Sequence, residues 1–336
     1  MRFTGALLVG SLVIGASASI RAQTNNCPAP GAPGSITAVT EDACWKGADI
    51  FAYMLPQLGN GIAGGNTTPG QGGSLGGFPH FALSVRVTGA PDAALPDFGS
   101  ITMSGTGRQN STPIPIKKQA FGLGAIDAAV GVFEGFKLGV GTVGGVDVLV
   151  SASYVPNYES GPTKLKVDNP IALGYGARIG LFNGTAMLPS VGVSYLQRTM
   201  PKMTLTASAS GTDNISLQNL DLKTTSWRLT ATQSLVLFGL NAGYGEDTYD
   251  GATGYTATVS GQTMPLRTVS ATVKRTNWFA GVTFNLVIFK LVGEYGQVSG
   301  GDLTTFNGFG SSVAAGGQKT VNDSKNYFSA ALRFGF

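Results

Sequence analysis

Histidine is nearly absent from this chain, with one among 336 residues, and cysteine stops at two, Cys27 and Cys44. A closed His/Cys metal centre is thereby excluded, and a histidine-dependent triad has a single candidate base, His80. Charge is also scarce. Charged residues make up 12% of the chain, the net charge is only +4, and the basic residues are scattered; this removes the electrostatic footprint of nucleic-acid binding. No stretch approaches 18 consecutive apolar residues, so no transmembrane helix is expected in the mature chain. Glycine is the residue in excess. Its 50 copies follow no fixed period, which argues against collagen and coiled coil alike.

The N-terminus, MRFTGALLVGSLVIGASASIRAQ, has Arg2, an apolar run from Ala6 to Ile14 and then small residues. That is the pattern of a secretory signal peptide over residues 1–22, with cleavage expected after Ala22 or, second, after Ala18. TNNC before Cys27 lacks the apolar and small residues of a lipoprotein box. In an exported chain Cys27 and Cys44 can form a disulfide, or stay as two free thiols; spacing leaves both open.

From Thr40 to Leu58, apolar Cys44, Ala48, Phe51 and Leu55 recur at helical spacing, predicting a short amphipathic helix. NGIAGGNTTPGQGGSLGG comes next as a glycine-rich linker. From residue 78 to 336 the period changes to two. PHFALSVRVTG sets Phe81, Leu83, Val85 and Val87 against Ser84, Arg86 and Thr88, and a period of two sends these sets to opposite faces of a sheet. VDVLVSASY, IALGYGARIGL, VLFGLNAGY, NWFAGVTFNL and FKLVGEY repeat the pattern. Their polar faces carry mainly Gly, Ser, Thr and Asn, where a water-facing strand surface would carry many Lys and Glu. Tyr154, Trp278 and Tyr295 lie near segment ends, as an interfacial girdle requires.

Links between these segments alternate long and short: 91–119, 156–168, 200–222, 247–275 and 299–325 are long, while 183–186, 233–234 and 287 are turns. About ten strands are counted, and twelve if TLTASASG or YTATVSG form strands of their own. The last segment, YFSAALRFGF, keeps its apolar alternation to Phe336. With the leader, the repeated dyad strands and this terminal strand, the chain resembles bacterial outer-membrane β-barrel proteins. The resemblance implies an all-β fold, an antiparallel up-and-down transmembrane β-barrel of 10–12 strands with a short N-terminal helix, exported through the Sec pathway to the outer membrane. It also implies that Phe328, Leu332, Phe334 and Phe336 serve as the signal read by the barrel assembly machinery. The partners expected are that machinery and outer-membrane lipid, with no nucleic acid and no cofactor. Residues 23–77 are read as a plug or linker segment that inserts into the barrel or caps its periplasmic mouth, with Trp45, Phe51 and Met54 packing on the wall.

No catalytic constellation accompanies the strands. GVGTVGG places Gly139, Gly141 and Gly144 at a dinucleotide-loop spacing, but a strand succeeds it where a helix is needed. His80 has no nucleophile motif beside it, so no enzyme is expected. By parity Arg86, Asp127, Asp147, Arg178, Arg228, Lys290, Glu294 and Arg333 point into the lumen, and Arg198 is expected near a rim. A basic residue at the lipid midplane costs roughly 2–4 kcal/mol, so the lumen is required of them whatever the function. They either line a weakly anion-preferring pore or close it as a network of ion pairs. A small channel for small solutes is the first function expected; a non-conducting anchor for Gly/Ser/Thr-rich surface loops is the alternative. Replacing Phe336 with serine should lower the yield of assembled protein in outer-membrane fractions, and an undiminished yield would remove its assembly role.

Overall fold

A computed structural model describes residues 23–25, 27, 37–139, 141–185, 187–209, 212–286, 288–310 and 319–335; the expected signal peptide, 1–22, and Phe336 of the expected assembly signal lie outside them. Ten strands form the wall: β1 (Phe81–Pro96), β2 (Ile116–Phe133), β3 (Gly145–Tyr154), β4 (Ile171–Phe182), β5 (Ser190–Thr199), β6 (Asn214–Ser234), β7 (Phe238–Val259), β8 (Arg267–Asn285), β9 (Lys290–Ser299) and β10 (Lys325–Gly335). Each pairs antiparallel with its neighbour in sequence. The seam closes where β10 pairs β1, from Phe328 opposite Gly89 to Gly335 opposite Ala82. Closure leaves the membrane-level wall without a free edge, which is what allows a sheet to cross lipid.

The period of two sorts the wall into two environments. Along β1, Leu83, Val85 and Val87 are 42%, 52% and 57% exposed, whereas Ser84, Arg86 and Thr88 between them are at most 2% exposed. Outward apolar side chains form a continuous belt. At its long-loop edge Trp227 and Tyr244 sit with ring centres 6.3 Å apart, Trp278 and Tyr295 at 5.8 Å, and Tyr295 and Phe328 at 5.1 Å, an aromatic girdle of the kind that marks a membrane interface.

Beyond that girdle β6, β7 and β8 continue, reaching 21, 22 and 19 residues, about twice what a bilayer crossing needs. The spans 200–222 and 247–275, expected as loops, are thus largely strand. TLTAS lies in a short strand, Met203–Ser208, and YTATV is the end of β7; both extend the wall upward and add no membrane strand, so the count is ten and not twelve. The outer half of β7 escapes the sequence pattern because its outward side meets water. Tyr249, Thr253, Tyr255 and Ala257 are buried against the helix, and small polar residues alternate with them.

Helix α1 runs Ala38–Ala63, past the expected end at Leu58. Gly59, Asn60 and Gly61 are helical because they are enclosed. The helix stands inside the tall part of the barrel, packed chiefly on β7 and β6, with its N-terminus at the long-loop end. A Cβ on Gly59 would lie 2.5 Å from Cγ of the buried Tyr249 ring, so glycine permits this approach. Thr24 and Asn25 pair with Ser270 and Val269 of β8, also at the long-loop end. Residues 64–77 then descend through the membrane-level lumen to the short-turn end, where β1 begins. The helix therefore fills the outer end, opposite to a periplasmic cap. Gly59→Val should destabilise the barrel by about 1–3 kcal/mol, the usual cost of overpacking, seen as a lower temperature for loss of the compact band on unheated gels.

Candidate functional site

The lumen is occupied by irregular backbone, and backbone N–H and C=O groups removed from water require partners. Residues 63–75 form no ladder with the wall. Five of their backbone groups are met by charged side chains from five different strands. Arg198 Nη1 donates to Ala63 O at 3.0 Å and Arg228 Nη2 to Gly64 O at 3.2 Å. The Asn66 amide donates to Glu294 Oε2 at 3.1 Å, Arg333 donates to Pro69 O, and the Leu75 amide donates to both oxygens of Asp147 at 3.0 and 3.1 Å. The two arginines sit where α1 ends, and a helix C-terminus with unpaired carbonyls attracts cations. Gly64 turns the chain there with φ of 57°, and a Cβ on it would run into Arg86.

Arg198, Arg228, Asp147 and Glu294 also have a partner in the wall. Arg86 Nε lies 2.8 Å from Asp127, which accepts from Ser151 Oγ at 2.7 Å and faces Arg198 Nη2 at 3.5 Å. Arg178 meets Asp147 at 2.7 Å, and Arg228 meets Asp247 at 2.6 Å. Asp247 further accepts from Asn277 at 2.9 Å and Tyr249 at 3.2 Å, and Glu294 accepts from Asn241 at 2.7 Å. Buried pairs of this kind hold only when remaining lone pairs and protons are also satisfied.

At the outer end the loops fold over the helix. Asp49 accepts from the backbone of Phe306 at 3.0 Å and of Asn307 at 2.7 Å; burial pushes its carboxyl up to about 6 against those hydrogen bonds. Tyr53 stacks on Phe309 at 4.0 Å, and Trp45 meets Phe306 at 5.5 Å. Cys27 and Cys44 are joined by a disulfide, which ties the segment paired to β8 onto α1.

A closed antiparallel sheet with an apolar exterior, an aromatic girdle and every strongly buried charge turned inward decides the class. The architecture is that of an outer-membrane β-barrel. No family model matches the chain and no curated protein does. Solved structures with detectable likeness include the attachment invasion locus protein Ail of Yersinia pestis, at 10% identity over 79% of this chain and 100% of that one, TM-score 0.25. A FadL homologue of Pseudomonas aeruginosa is similar at 9% identity over 76% and 90%, TM-score 0.27, and OmpT of Vibrio cholerae at 11% over 76% and 97%, TM-score 0.17.

Within this outer-membrane barrel, Arg86, Asp127, Asp147, Arg178, Arg228, Glu294 and Arg333 are all buried in the lumen, while Lys290 is half-buried at the short-turn end. Arg198, expected near a rim, is 2% exposed in the middle of the network. It is the last residue but one of β5, yet it pairs with Thr224 of β6, which runs on to Asn214, so a position at the end of its own strand is enclosed by the taller wall beside it. Asp247 and Arg275, expected in a loop, are buried wall residues. Asp127 and Asp147 do not meet, because Asp127 stands opposite Ser151 and Asp147 opposite Gly131. Phe328 is exposed outward, with Leu332 and Phe334 half-buried on the same face. His80 is exposed, with Nδ1 3.0 Å from Gly77 O. Gly139, Gly141 and Gly144 lie ahead of β3 and not before a helix. Among the described residues no cluster of His, Cys, Asp and Glu could hold a metal ion. Asp147→Ala strands Arg178 in the lumen and frees the Leu75 amide; it should cost about 3–5 kcal/mol in denaturant unfolding, most of it recovered when Arg178→Leu is added.

Proposed function

We propose that this barrel is a gated pathway for small solutes and that its own N-terminal segment is the gate. One observation carries the reading: at membrane level the lumen is filled by residues 64–77, a glycine-rich stretch of irregular backbone gripped by buried arginines of the wall, and not by strand side chains alone. A barrel of this size can be closed by wall side chains alone. Closing it with a separable segment, held by hydrogen bonds to side chains, suits a path that opens when the segment moves. The Arg–carboxylate pairs within the wall would stay paired during such a movement, because Asp127, Asp147 and Asp247 each keep an arginine of the wall. The same reading takes the chain to the outer membrane through Sec export and the barrel assembly machinery, with lipid around it, and assigns it no catalysis.

A second reading, a non-conducting anchor for surface loops, draws support from the outer end. There the loops around Phe306 and Phe309 are folded onto α1 rather than left free. Planar-bilayer recordings separate the two. The full chain should be nearly silent, and a chain lacking residues 23–77 that keeps heat-modifiable migration should conduct in discrete steps. Silence from such a folded deletion would contradict the gate.

A further inference from the structure

The wall is incomplete just above the girdle. On one side β2 pairs with β1 from Ile116 to Val130, but on the other it reaches β3 only from Gly124 onward. Residues 117–123 therefore present a strand edge. Facing it is the edge of a flap that hangs on β6, built of Met203–Ser208, Thr163–Val167 and Tyr158–Ser160 in that order. Tyr158–Ser160 is the last strand of the flap and pairs on one side alone among the described residues.

Behind this split lies a cavity of about 590 Å³, lined from both edges and closed inward by the helix, a size within the roughly 300–1,000 Å³ range of small-molecule sites. Leu123, Met203, Leu205 and Leu220 supply its wall, and Met54 and Leu58 of α1 its inner end. Methionine in the wall and at the inner end gives a lining that adapts to a flexible chain. The lower lip is at Gly122 and Gly124, and Gly124 stands opposite the outward Tyr154. That height is the membrane interface, where an open edge can be hydrated, as it could not be deeper in lipid. Lys117 lines the mouth, is exposed, and makes no ion pair among the described residues. Lysine also guards free strand edges against pairing; an apolar cavity behind it is more than a guard requires.

We propose that this cavity binds a single-chain amphiphile with an anionic head, its acyl chain entering sideways between β2 and the flap and its head held at Lys117. The inference deepens the transport reading and rests on it, naming the solute and its point of entry. The test uses the full chain in phosphatidylcholine nanodiscs, titrated with an anthroyloxy-labelled hexadecanoic acid and corrected for empty nanodiscs. Saturable binding is expected, weakened about tenfold by Met54→Trp, which fills the inner end. Lys117→Glu should weaken it about two- to fivefold, as for an exposed charge contact, and leave the matching fatty alcohol unaffected. No saturable binding, or binding indifferent to both substitutions, overturns the proposal. Adding a minor fraction of anionic phosphatidylglycerol separates the sources of such a chain: undiminished probe binding supports a free amphiphile, and competitive loss assigns the cavity to bilayer lipid and overturns it. Binding is read here without flux. A binding barrel that never conducts would sink the gate and leave the site standing, whereas a conducting barrel without binding would do the reverse.

Discussion

Charged side chains of the wall holding the bare backbone of residues 63–75 are the contact on which the rest of this structure depends. A chain passing through a barrel without becoming a strand leaves its amides and carbonyls unpaired, and each costs free energy when removed from water. A helix would solve this internally, but the lumen at girdle level already holds the wall's own buried arginines. The protein divides the lumen instead. Helix α1 occupies the tall region where β6, β7 and β8 rise above the membrane, and the slimmer irregular segment takes the part within it, fixed by Arg198, Arg228, Glu294, Arg333 and Asp147.

Two needs thus meet in one set of residues. Charge cannot face lipid, so it must face the lumen; the threaded backbone needs strong donors and acceptors, and finds them there. The arrangement explains why the inner face combines glycine with arginine. At Gly180 a Cβ would collide with Ser74 of the threaded segment, and at Gly174 with the Arg198 side chain. Small residues give room both for the segment and for the long side chains that grip it. The disulfide and the pairing of Thr24 and Asn25 with β8 then fix the far end of the segment outside the girdle.

Legibility in the sequence tracks the physics of each environment. Lipid enforces a strict apolar alternation, so β1, β3, β4, β9 and β10 are legible, as is the inward parity of Arg86, Asp147 and Arg178. Above the girdle that constraint lapses. The stretch DTYDGATGYTATV carries buried tyrosines on one side and polar residues on the other, and reads as a loop with at most a separate strand at YTATV, although all of it belongs to one strand, β7. Arg198 and Asp247 are misread for the same reason. The helix end is hidden differently: NGIA has poor intrinsic propensity and is helical because it is enclosed, with Gly59 against Tyr249. The threading of residues 64–77 leaves no local signal, since its partners are scattered over strands far away in sequence.

Hydrogen exchange of the reconstituted protein tests the central claim most directly. If wall charges hold the threaded backbone, the amides of Asn66 and Leu75 will exchange as slowly as those of the neighbouring strands, and Glu294→Ala will speed Asn66 while leaving Leu75 slow. Exchange of residues 63–77 at the rate of an open, solvated loop would contradict the account.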